Sequence, residues 1–264
     1  MEPFEVRAEA MMTLPILEAA LWFLIPALFA MIAHWGAHAL FPNKPSEETL
    51  DAAKWGAVRI GAVHALILAL AFSSVRSEYN ELGESIDNEA LAIEQLYRQL
   101  QEFGTDESEA IREDLERYTR LVVNEEWPSM ATGRPLEEAD LLVDAIYRQI
   151  IVLADNAERS NSASAMLNDI NDIENERGQR SFDIEEPISP MFWMIAVVGL
   201  VLTCLSFFPT PHGLLRSSFL GMFAGMNGLV FFAIIGFSHP FSTAFPIQPT
   251  PFLEVLQRTI ETAQ

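Results

Sequence analysis

The chain has 264 residues, half of them apolar, and a formal charge of −21. That combination excludes an ordinary soluble globule unless apolar and charged residues are segregated along the chain, and they are. The acidic excess excludes nucleic acid as a partner, and anionic lipid head groups as a partner of the acidic region.

Apolar runs cover residues 11–41, 55–75, 190–208 and 213–238, whereas most carboxylates lie in 77–186. An apolar helix of about 20 residues crosses the hydrocarbon core. The expected fold is therefore an all-α integral membrane protein with four transmembrane helices and an extramembrane antiparallel bundle between the second and third spans. The expected partition is 1–76 for the first two spans and their short loop, and 77–186 for the acidic bundle. Spans three and four then occupy 187–238, and a Pro-rich tail with a short helix occupies 239–264.

The first span is expected from Leu14 to Trp35, with Thr13 as N-cap and Pro15 in the first turn. Glu2, Glu5 and Glu9 against one Arg7 do not make a signal-peptide n-region, and no A-x-A cleavage pattern follows, so the segment reads as retained. Pro26 lacks an N–H and leaves the Trp22 carbonyl without its helical donor, which predicts a kink. The second span runs from Trp55 to Val75.

Beyond it, Val75, Tyr79, Leu82, Ile86, Glu89, Ile93, Leu96, Leu100 and Phe103 recur at spacings of three and four. This heptad-like seam has one acidic interruption, Glu89, and predicts a single long helix leaving the bilayer, unbroken before Gly104. Three more bundle helices follow. One starts at Thr105-Asp106-Glu107-Ser108 and ends at Trp127-Pro128. The next spans Leu136–Ala157, with Leu142, Ile146, Ile150 and Leu153 on one face. The last carries Leu167, Ile170 and Ile173 towards Arg180.

Glu186-Pro187-Ile188-Ser189-Pro190 marks the return to the membrane. Span three is expected over Met191–Phe208 and span four over Leu214–Phe237, joined by Pro209-Thr210-Pro211-His212-Gly213. The tail is extended through Pro240, Pro246 and Pro249, and Thr250-Pro251 starts a short helix bearing Phe252, Val255, Leu256 and Thr259.

An even number of spans puts the bundle and both termini on one side. The short loops hold Lys44, Lys54, Arg59 and Arg216 within few residues. The positive-inside rule then places these loops in the cytoplasm and the bundle outside.

Polar groups inside spans require a partner or a cavity. Glu18 and Arg76 fall at the same depth on neighbouring spans, as an ion pair or a pathway gate. His34, His38, His64 and His212 map to the short-loop side, with His64 the deepest, and no carboxylate or cysteine completes a metal site around them. Gly221, Gly225 and Gly228 give the fourth span a close-packing face, within the chain or between copies, and Asn227 either hydrogen-bonds across it or lines a pore. Glu78, Glu81, Glu84 and Asp87 follow directly on the second span and would form an acidic mouth. The one cysteine, Cys204, excludes an intrachain disulfide and reads as a small core residue. No G-x-G-x-x-G, Walker loop, H-E-x-x-H or nucleophile elbow is present. Neither a catalytic function nor a cofactor is expected. Glu125-Glu126 and Glu174 with Glu176 read as ordinary carboxylate pairs on acidic helices.

Several stretches carry a family resemblance: Glu89-Ala90-Leu91 with Leu96-Tyr97-Arg98; Tyr118 and Val122 before Glu125-Glu126-Trp127-Pro128 and Gly133-Arg134-Pro135; and Glu176-Arg177 with Arg180. A fourth is the tail, His239-Pro240-Phe241-Ser242, Ile247-Gln248-Pro249 and Pro251-Phe252. The chain resembles the bacterial bestrophin-like domain family over most of its length, from the first span to the tail. His239 departs from the pattern, which leads one to expect an acidic residue before Pro-Phe. The resemblance implies an oligomeric, channel-like membrane protein related to the bestrophins, which are pentameric anion channels with a cytoplasmic domain. No bestrophin pore motif matches here, so no pore residue is carried over. The alternative is a non-catalytic scaffold or accessory subunit of a larger membrane complex. The expected partners are the lipid bilayer and further copies of the chain or other membrane subunits.

Overall fold

In a computed structural model, described over residues 2–40, 45–155, 160–182, 188–211, 213–242 and 244–262, all regular structure is helical. In chain order the helices are α1 (Glu2–Leu40), α2 (Glu47–Phe103), α3 (Asp106–Leu121), a π-helical turn (Val122–Glu126) and α4 (Trp127–Met130). After these come α5 (Glu137–Asp155), α6 (Ser160–Phe182), α7 (Pro190–Ser206), α8 (Leu214–Ser238) and α9 (Thr250–Thr262). They form two compact units, one of residues 1–77 and 188–238, the other of residues 78–187 and 239–264.

In the first unit α1, the start of α2 and α8 are long and apolar enough to cross a membrane, and α7 is an apolar helix of 17 residues. Nothing before Pro15 breaks α1, so the helix begins at Glu2 and Thr13 lies inside it rather than capping it. Both Pro15 and Pro26 sit in its interior. The carbonyl that Pro26 frees, Trp22 O, lies against α8. A Cβ on Gly228 would fall 1.9 Å from it, one on Gly225 2.9 Å from Phe23 O, and one on Gly221 3.2 Å from Ala27 O. The glycine face of α8 therefore packs on α1 of the same chain, backbone against backbone, where Cα–H groups face carbonyls. Large side chains such as Phe29, Ile32, Val63 and Leu70 point outward, as a lipid-facing surface requires.

In the second unit the expected seam of α2 is the core: Leu82, Ile86, Glu89, Ile93, Leu96 and Leu100 are all buried. α2 ends where Gly104 takes a φ of 69°, its N–H bonded to Leu100 O. A capping box of Thr105 and Ser108 then starts α3. Trp127-Pro128 does not end this helical stretch. The chain widens into the π turn and stays helical to Met130, because the Trp127 N–H reaches Val122 O and Pro128 sits in a first turn that needs no N–H from it. α5 and α6 bury their apolar stripes against α3 and each other. The tail is part of this unit. Phe252, Val255 and Leu256 of α9 enter the core, and the preceding extended segment is held by Tyr79 Oη on Phe245 O at 3.1 Å and Trp127 Nε1 on Ile247 O at 3.1 Å.

Candidate functional sites

The membrane-spanning unit brings together two residues that sequence analysis singled out separately. His64 of α2 and Asn227 of α8 are both buried, with His64 Nε2 2.9 Å from Asn227 Oδ1. Asn227 Nδ2 donates to Phe223 O at 2.8 Å, which fixes the amide. The oxygen therefore faces the imidazole, Nε2 carries the proton, and Nδ1 is left as a buried acceptor with no partner among the described residues. A Cβ on Gly199 of α7 would lie 2.2 Å from that Nδ1, so only glycine admits the ring there. Glu18 is exposed and is not among the ion pairs of the described residues, while the Arg76 guanidinium lies 4.8 Å from the Phe237 ring centroid. A cationic group over an aromatic face at the end of a span is a snorkelling arrangement.

At the short-loop end, one carbonyl gathers two histidines. Thr210 O accepts from His34 Nε2 at 3.3 Å and from His38 Nε2 at 2.8 Å. Ser217 Oγ lies 3.0 Å from His34 Nδ1 and accepts from Trp35 Nε1 at 2.7 Å. The i,i+4 histidines thus tie α1 to the α7–α8 connection. Among the described residues no group of three or more metal-ligating side chains converges, and His212 lies outside those residues.

The second unit contains a buried ionic cluster that the sequence did not announce. Arg180 of α6 is fully buried and donates from Nε to Glu89 Oε2 at 2.9 Å, and from Nη2 to Glu89 Oε1 at 3.1 Å and Glu126 Oε2 at 3.0 Å. Arg177, one turn earlier, donates to Glu126 Oε1 at 2.6 Å and also pairs with Asp140. Tyr118 Oη donates to Glu89 Oε1 at 2.6 Å. The Trp127 and Phe252 rings flank the Arg180 guanidinium at 5.6 and 5.7 Å. Burial alone would pull the Arg180 pKa down, but Glu89 and then Glu126 outweigh it and hold the guanidinium above its ordinary value. Burial first, and Glu89 second, push the Tyr118 phenol well above its ordinary range.

Glu126 is thus not a member of an ordinary carboxylate pair, as its place beside Glu125 had it, but fully buried. The π turn rotates it inward. The usable signal was Glu89, a carboxylate at a core position of the seam, together with Arg177 and Arg180 three apart on one face. The stretches that carry the family resemblance converge on this one cluster.

Glu78, Glu81, Glu84 and Asp87 are exposed on α2, as an acidic strip requires. A cleft of about 330 Å³ beside Arg177 is lined by Asp140, Asp144 and Glu174.

A family model of the bestrophin-like domain matches residues 24–252. No curated protein matches the chain. Among solved structures, a variant of a bestrophin homologue from Klebsiella pneumoniae is 15% identical, with a TM-score of 0.67 over 95% of this chain and 99% of that one. A second structure of a K. pneumoniae homologue, phased on zinc, is 15% identical with a TM-score of 0.65, covering 94% and 97%. A solved structure of a membrane protein carrying a leucine-to-alanine substitution is 16% identical with a TM-score of 0.67, covering 94% and 99%. At such identities the likeness establishes the fold.

Proposed function

The chain belongs to the bestrophin-like domain family, and from that membership we propose that it acts in the bacterial inner membrane as a self-associating, channel-like protein without catalytic activity. The carrying observation is α2. One helix of 57 residues bears a buried polar group in its apolar part, His64, and an exposed acidic strip, Glu78 to Asp87, immediately beyond. Within one chain His64 Nε2 bonds Asn227 Oδ1, a contact that supports helix packing rather than a pathway through the monomer. The conduction path in this reading lies between copies, where the exposed faces of α2 meet. α7 serves as the fourth span. The short loops with Lys44, Lys54, Arg59 and Arg216 face the cytoplasm, and the bundle and both termini lie outside.

Potassium and chloride flux in liposomes containing only this protein tests the reading. Flux above that of protein-free liposomes is the expected result. Its absence, with the protein correctly folded and inserted, would favour the scaffold or accessory-subunit role.

A further inference from the structure

Arg59 marks one end of an open groove in the membrane-spanning unit. The groove has a volume of about 460 Å³ and runs between α2 and α7. α2 contributes Arg59, Val63 and Ile67, each one turn further along the helix, and α7 contributes Leu202, Val198 and Ile195 in the opposite sense. Val63, Val198 and Leu202 are 61%, 49% and 45% exposed, so the trough is open along its side. The Arg59 side chain is exposed and makes no ion pair or hydrogen bond among the described residues.

We propose that this groove is a binding site for an anionic glycerophospholipid, with the phosphate on Arg59 and an acyl chain along Val63 and Ile67. Depth supports the assignment. Arg59 lies one turn, about 6 Å, below Trp55, an exposed aromatic of the kind that marks the membrane interface. From one turn inside the interface the Arg59 side chain can snorkel up to the lipid phosphates, which a guanidinium binds in a bidentate manner. Every lining group deeper than Arg59 is apolar apart from His64, whose ring is turned into the Asn227 contact. A second copy of the chain in the same orientation offers no counter-charge at this depth. Glu18, the carboxylate of the first span, lies at the opposite end of the membrane. Basic positions between transmembrane helices recognise anionic head groups in this way. The inference rests on membrane residence alone, not on conduction or orientation.

The test is native mass spectrometry of the full chain released from nanodiscs of mixed phosphatidylglycerol and phosphatidylcholine. The wild-type protein is expected to retain phosphatidylglycerol in preference. Arg59→Gln should lower that retention about fivefold, the worth of one near-surface cation, without changing the melting temperature. Arg216→Gln should leave it unchanged, and Val198→Trp, which fills the trough, should displace the lipid. Equal retention of the two lipids, or retention unaffected by Arg59→Gln, would overturn the proposal. So would displacement by inorganic phosphate alone, which would mark a free-anion site. A lipid-free dimer trapped through Val198→Cys would give the groove to a second copy instead.

Discussion

Glu89 and Arg180 lie 91 residues apart in the chain and meet, fully buried, through two hydrogen bonds of 2.9 and 3.1 Å. Removing one partner of such a pair leaves the other charge uncompensated in a low dielectric, at a typical cost of about 3–5 kcal/mol. Arg180→Met should therefore sharply lower the melting temperature. Adding Glu89→Leu should recover a substantial part of the loss, because Arg177 still holds Glu126. Thermal unfolding in detergent decides it. A double variant no more stable than Arg180→Met would mean that lost packing, not stranded charge, caused the damage.

Tyr118 should make the protein sensitive to alkali. Its folded-state pKa lies well above the ordinary 10.0, so its contribution is complete below pH 10 and is lost as pH rises further, because the unfolded chain gives up the phenolic proton first. Tyr118→Phe removes a hydrogen bond to a carboxylate, worth about 1.5–3 kcal/mol. It should also flatten the decline of stability above pH 10 relative to wild type. A comparison of melting temperatures between pH 8 and 11 reads both effects, and parallel curves for the two proteins would refute the assignment.

The three glycines of α8 that pack on α1 should not be equally tolerant. Gly228→Ala brings a methyl within 1.9 Å of backbone, whereas Gly221→Ala first meets the flexible Met31 side chain at 2.9 Å and then Ala27 O at 3.2 Å. Overpacking costs about 1–3 kcal/mol. Gly228→Ala should reach or exceed the top of that range and Gly221→Ala should stay near its lower end. Melting temperatures of the two variants give the order, and a neutral Gly228→Ala would show that α1 and α8 can separate freely.

Orientation is open to direct labelling. Cysteines at Ala110 and Glu48, both exposed, should react differently with an impermeant thiol reagent on intact spheroplasts in a Cys204→Ser background. Ala110→Cys should label and Glu48→Cys should not. The reverse pattern would put the bundle in the cytoplasm, as in the bestrophins.

Charge around the bundle bears on selectivity. Residues 77–186 hold 28 carboxylates against nine arginines and no lysine. Carboxylate rings at a pore mouth enrich cations, though screening beyond about 8 Å leaves only groups near the path effective. If the protein conducts, its reversal potential under a KCl gradient at low salt should not indicate strong chloride selectivity, and Glu78→Gln/Glu81→Gln should shift it towards chloride. A strongly chloride-selective current indifferent to those substitutions would show that the acidic strip lies away from the path.

The sequence by itself determined the helices. Apolar runs, heptad spacing and the signals at Gly104 and Thr105 are local properties, so the apolar spans, the continuous α2 and the buried seam were all legible. It also supplied the family, because the residues that carry the resemblance sit close together in short segments. Partnership was decided only by the tertiary structure. Glu89 looked like a flaw in an apolar seam until α6 brought Arg180 to it. Glu126 read as one of an ordinary carboxylate pair until the fold buried it beside Arg177 and Arg180. His64 and Asn227 were two isolated polar groups until α2 and α8 were packed side by side. The reason is physical. A backbone follows its own residues, but a buried polar group takes its meaning from whichever distant chain segment supplies the matching donor or charge, and spacing along the sequence carries no record of that choice.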